Sequence, residues 1–246
     1  MARRREHLRN APIVEAVIDF RVLRREGVSF DQFAGLQSAI GPQYAQAILM
    51  HSIEAQLVLS QEGAPSSSAA AAPIGWQYRA DSMVAQFRLD GFTFSKLEPY
   101  TTWNDVFSEA LRLWAVYVRV AGPAEVVRVA VRYINRLQVP VPAQISDYLA
   151  APPQVPPPIS QQLRQFLCRF VIDDVTRNAS AVIVQASEPR VGPPAITLLI
   201  DIDAFKENLA VAPEDPRLPE IFLQLRDLKN EIFFASITER TAETYE

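Results

Sequence analysis

Cysteine is almost missing from this chain of 246 residues: Cys168 stands alone. A single thiol excludes an internal disulfide and a cysteine-based zinc site, and it suits a reducing cytoplasm. Histidine occurs only at His7 and His51, and neither sits in a Ser/His/Asp or Cys/His pattern with a motif around it. Glycine is scarce, eight in all, and neither a P-loop nor a G-x-G-x-x-G is present. No apolar run approaches the roughly 20 residues that span a bilayer. Arg3-Arg4-Arg5 is followed by Glu6, His7, Arg9, Glu15 and Asp19, not by the apolar stretch of a signal peptide. Lysine appears only at Lys96, Lys206 and Lys229; the other basic residues are arginine. The net charge of −4 gives no general pull toward nucleic acid or an anionic membrane. The expectation is a cytoplasmic protein with no cofactor, no metal and no membrane contact.

What is present is ordinary globular material, 49% hydrophobic and 21% charged. At the start, Val14, Ala16, Ile18, Phe20 and Val22 alternate with Glu15, Val17, Asp19 and Arg21, the period of a strand with one buried face. Ser29 to Ile40 carries a capping box, a hydrophobic staple and an apolar stripe, and predicts a helix over 29–40 ended by Gly41-Pro42. Four strands are then predicted as a meander, near 53–60, 74–79, 83–89 and 92–97, with Asp90-Gly91 as a tight hairpin. Residues 63–73, rich in Ser and Ala, read as a low-complexity loop. Thr102 to Asp105 is a second capping box, opening a long helix that Gly122-Pro123 ends.

The pattern then restarts. Val127, Val129, Val131 and Tyr133 alternate with Arg128, Ala130, Arg132 and Ile134 in a long strand. A proline-rich connection, 143–158, leads to strands near 163–176, 179–188 and 195–203. A last helix is predicted with Asp215 as cap and Pro216 at its first position. The fold class is α+β: two similar halves, 1–123 and 124–246, each an antiparallel sheet packed on a long helix, sharing one core.

Several segments, taken in order, carry a resemblance. They are Asn10-Ala11-Pro12-Ile13-x-Glu15-Ala16, then Asp90-Gly91-Phe92-x-Phe94-Ser95 with Pro99-Tyr100 and Trp103. Arg132-Tyr133-Ile134-Asn135-Arg136 and a closing helical Phe233-x-x-Ser236-Ile237-Thr238 follow. Together they resemble a sporadically distributed, uncharacterised bacterial family of similar length. The resemblance implies no particular activity and no catalytic residue. Its patchy distribution is similar to that of mobile or defence-associated genes.

Two groups of residues are candidate sites. Glu15 and Asp19 share a strand face, ~13 Å apart by strand rise, and Arg128, Arg132 and Arg136 share a face of the second long strand. If those strands adjoin, Arg132 is expected to meet Glu15 or Asp19. The cluster is then either a ladder of ion pairs or an anion-binding surface. Asp201-Ile202-Asp203 presents two carboxylates to one side, short of a metal site without a third ligand. Cys168, among Phe166, Leu167 and Phe170, reads as a buried thiol. Trp76, Tyr78, Phe87, Phe92 and Phe94 read as core under a helix, with base stacking as the alternative. The second candidate site is Phe234 with Ile237, where the apolar band of the last helix is wider than one stripe and offers a contact for a partner or a second copy of the chain. The function expected is a non-catalytic protein-interaction component, of a bacterial defence or stress-response system. The alternative is a nucleic-acid or nucleotide-binding protein that uses the arginine face.

Overall fold

A computed structural model describes residues 8–58, 66–140, 144–154, 165–188 and 195–246. Arg3-Arg4-Arg5 and His7 lie outside the described residues.

The chain is α+β, built on one nine-stranded antiparallel sheet. Strand β1 (Ile13–Val22) lies near its centre. A meander follows: β2 (Gln46–Val58), β3 (Ser66–Ala80), β4 (Met83–Arg88) and β5 (Gly91–Leu97), with β5 pairing back onto β1. Strand β6 (Val126–Pro140) adjoins β1 on its other side. Beyond it, β7 (Leu167–Asp174), β8 (Ala179–Ser187) and β9 (Ala195–Val211) form a second meander, and β9 pairs back onto β6. The spatial order is β2-β3-β4-β5-β1-β6-β9-β8-β7, so β2 and β7 are the edges among the described residues. Two short helices, α1 (Gln37–Ile40) and α4 (Glu239–Thr244), and two long ones, α2 (Trp103–Ala121) and α3 (Leu218–Ser236), complete the fold. None is long and apolar enough to cross a membrane.

Both long helices cover one face of the sheet, and they meet over β1. Phe20 stacks on Trp114 of α2, ring centroids 4.1 Å apart, and lies 4.9 Å from Phe222 of α3. A single buried cluster runs from Phe33 and Tyr78 through Phe20 and Val131 to Leu225 and Leu228. Tyr78, Phe87, Phe92 and Phe94 are buried in it, on the same face as Trp76, which is half-buried. These rings are core, not an open stacking platform.

Local signals hold where they are strong. Thr102 Oγ1 accepts from the Asp105 N–H at 3.2 Å and starts α2; Gly122, at φ 52°, takes the left-handed cap that ends it. Others fail for local reasons. The helix expected over 29–40 is a 3-10 turn, Phe30–Phe33, followed by α1, because Gly35 at φ 69° breaks the run. The last helix starts later than expected. Asp215 accepts from the Arg217 N–H at 2.8 Å, and α3 opens at Leu218 with Pro219 in its first turn. The loop read at 63–73 is strand from Ser66 onward, because backbone pairing to β2 does not need the apolar side chains the sequence lacks there. Its first residues lie outside the described residues. The described part of 143–158 is tied down: Tyr148 and Leu149 are buried, and Leu149 bridges to Ile237.

Candidate functional site

The face of the sheet away from the long helices is polar at its centre. Register explains why. Arg21 lies opposite Arg128, Val17 opposite Arg132, and Arg132 opposite Asp203. Residues directly opposite point to the same face, so charges from β1, β4, β6 and β9, with the Thr93 and Ser95 hydroxyls of β5, collect in one depression of about 530 Å³.

Asp19 is its hub. Its carboxylate accepts from Thr93 Oγ1 at 2.5 Å, Arg88 Nη2 at 3.2 Å, Arg21 Nε at 3.2 Å and Arg128 Nη1 at 3.4 Å. Arg128 also donates to Asp203 at 2.9 Å, with its guanidinium 4.5 Å from the Phe205 ring centroid. Arg88 is 6% exposed and further donates to Gln86, Asp90 and Thr93. Burial tends to raise the Asp90 carboxyl, and Arg88 with Arg21 overcome it and hold it below its ordinary value. Asp203 goes the other way: burial raises it despite Arg128.

Arg132 does not meet Glu15 or Asp19 as expected. It makes a bidentate pair with Asp201, at 2.8 and 2.6 Å, and this hydrogen bonding raises its pKa further. Adjacency of β1 and β6 was the right premise, but β9 on the far side of β6 offers a carboxylate at fork distance. Glu15 acts on Arg132 only through its field. Arg136 is drawn to the sheet's end, where Nε donates to Glu188 at 2.9 Å, away from the hub. The structure therefore joins Asp19 and Arg128, brings Glu15 and Arg132 to the rim, and separates Arg136.

Every arginine of this face is met by a carboxylate. Arg21, Arg88, Arg128 and Arg132 pair with Asp19, Asp90, Asp201 and Asp203, and Glu207, 3.7 Å from Arg128, and Glu15 add further acids. A phosphate would have to displace carboxylates already bonded to each guanidinium. The Asp201 and Asp203 carboxylates are taken by Arg132 and Arg128, and among the described residues no group of three or more His, Cys, Asp or Glu is placed to hold a metal.

The second candidate pair is divided by burial. Ile237 is 6% exposed and bridges Leu149, so its side chain is packed inside this chain. Phe234 is half-buried, edge-on to Phe233 at 5.4 Å. The apolar surface that is exposed lies elsewhere, on β7. Leu167 and Val171 face one side of the sheet and are 74% and 56% exposed; Phe170 and Ile172 face the other and are 49% and 39% exposed. Cys168, in the same strand, is half-buried and free, not enclosed as expected. Cys168 read as buried from its apolar neighbours because hydrophobicity alone does not tell an edge strand from a central one. The signal available in the sequence was its lack of alternation: both faces of β7 are apolar, as in a strand covered on both sides.

No protein-family model and no curated protein matches this chain, so the likeness read in its opening, hairpin and strand motifs rests on those residues alone.

Proposed function

We propose that this chain is a non-catalytic protein-interaction component that receives a partner protein along the outer edge of β7. One observation carries the reading: an edge strand with Leu167, Phe170, Val171 and Ile172 exposed on both its faces. Edge strands are commonly blunted by charge, proline or a bulge. The stretch Leu167–Ile172 has only Arg169 as a charge, and β7 pairs with β8 without a register shift. Such an edge suits strand addition, in which the backbone supplies affinity and alternate side chains supply selectivity.

The same reading includes two similar halves, 1–123 and 124–246. In each, the opening strand pairs with the strand that closes a meander, and a long helix follows; β1 and β6 meet antiparallel between them. On that correspondence β7 matches β3. β2 lies on the outer edge of β3, and among the described residues no strand lies on the outer edge of β7. A partner strand at β7 would take the place that β2 takes in the first half. The resemblance to a patchily distributed bacterial family supports a setting in defence or stress response, and the lone Cys168 suits a reducing cytoplasm.

Affinity capture with the full chain and with a Phe170→Asp/Val171→Lys variant tests the proposal. A partner held by the parent and lost by the variant, with unchanged thermal melting, is the expected result. Hydrogen exchange should then slow at 167–174 in the complex. Retention by the variant, or protection confined to another surface, would overturn docking at β7. Dimerisation of the purified chain through the same residues would identify the partner as a second copy.

A further inference from the structure

Between the start of α2 and the second half of α3 lies a cavity of about 310 Å³. Five aromatic side chains, Tyr100, Trp103, Tyr133, Phe233 and Phe234, line it beside polar groups such as Asn104 and Asn230. Two cations from α3 line it, Arg226 and Lys229, three residues apart and so on one side of the helix.

Lys229 is 6% exposed. Its Nζ donates to Asn230 Oδ1 at 2.6 Å and stands 3.7 Å from the Tyr133 ring centroid. The Arg226 guanidinium lies 5.6 Å from the Trp103 ring centroid. Their partners among the described residues are thus a neutral amide and two ring faces, and neither cation forms a salt bridge there. Burial lowers the Lys229 pKa to about 7, Arg226 adds to the fall, and Asp227 opposes it.

Donors sit beside the cations. The Tyr100 and Tyr133 hydroxyls are 3.1 Å apart, and burial raises the pKa of both, so both keep their protons. One proton lies between the two oxygens and the other remains to be donated. Asn135 is 2% exposed, and its amide nitrogen is held by the Ile200 and Tyr133 carbonyls at 3.0 and 3.4 Å. The residue type also matters. In a chain with only three lysines, one is placed here. An ammonium can shed its proton when buried, whereas a guanidinium cannot.

We propose that this cavity binds a small aromatic anion, its oxyanion on Lys229 and Arg226 and its ring among Trp103, Phe233 and Phe234. The volume is at the small end for ligand cavities and suits a single ring. The oxyanion supplies the negative charge that the two cations lack. Binding restores the proton to Lys229. The other charged or titratable groups around it are Arg226, Asp227, Tyr100, Tyr133 and, at the start of α2, Asp105; burial raises the pKa of both tyrosines, so they stay protonated.

Calorimetry on the full chain with benzoate, phenylacetate and phenyl phosphate tests this, with benzamide as the neutral control. Saturable binding of at least one acid is expected, and benzamide should bind at least about tenfold more weakly. The tighter class, carboxylate or phosphate, identifies the oxyanion. Titration at pH 8 in two buffers of different ionisation enthalpy should show uptake approaching one proton, falling toward none at pH 6. Lys229→Met should abolish binding and uptake together. Arg226→Gln, at a half-buried position, should weaken binding about tenfold or more and serves if Lys229→Met does not fold. No binding by any of the three acids, equal binding of benzamide, or binding at pH 8 without proton uptake would overturn the proposal.

Discussion

Arg88 and Lys229 are both 6% exposed, yet they are accommodated in opposite ways. Arg88 sits on the polar face among Asp19, Asp90, Gln86 and Thr93, and its charge is answered in full. Lys229 sits under α3 with an amide and an aromatic ring, and no carboxylate bonds to it among the described residues. Desolvation costs both ions heavily, and ion pairing offsets that cost only for Arg88. The comparison teaches that the abundance of arginine on the sheet face marks a closed lattice. The under-compensated charge lies instead where the sequence has a rare lysine.

Removing Arg88 is the severest way to break that contrast. Arg88→Ala leaves Asp19 buried with Thr93, Arg21 and Arg128, and should cost about 3 kcal/mol in denaturant unfolding. A loss under about 1 kcal/mol would mean that the lattice does not depend on its buried member.

Lys229→Met probes the other side and should move stability upward. The unfolded chain holds this proton to about pH 10, whereas the folded chain releases it near 7. Between those values the unfolded state binds the extra proton, so parent stability climbs with pH; below 7 both states hold it and the penalty is at full size. The variant should therefore gain on the order of 2 kcal/mol at pH 6, less the lost ring and amide contacts, and the gain should vanish toward pH 10. A gain independent of pH would assign it to packing.

Arg136→Ala is the mild case. Its pair with Glu188 is 49% and 33% exposed, so the loss should be about 0–1 kcal/mol and should shrink further in high salt. A larger loss would extend the closed lattice to the sheet's end.

Much of the fold was legible in short-range chemistry. Strand β1 shows it in its alternation, the β4–β5 hairpin in Asp90-Gly91, and α2 in Thr102 and Gly122. These signals act over a few residues, and each has one backbone solution. Where two local signals competed, as capping at Ser29 against Gly35, composition did not say which would prevail. The candidate site was legible only as to face. Glu15, Asp19, Arg128 and Arg132 do line one surface, but the partner of each depended on which strand lay next and in what register.

The sequence by itself determined an α+β chain with long amphipathic helices, a meander closed by a tight hairpin, and little cysteine, histidine or lysine for chemistry. Tertiary structure decided the rest. β9 beside β6 took Arg132 away from Glu15 and gave it to Asp201, because a bidentate fork outweighs a charge felt at a distance. The order of strands left β7 at an edge and exposed the apolar residues around Cys168, because burial depends on neighbours and not on hydrophobicity. The packing of α3 against β6 and the start of α2 set Lys229 beside Arg226 in an aromatic cavity. Such an environment has no local sequence signature, since its members come from parts of the chain up to about two hundred residues apart and meet only when the core closes.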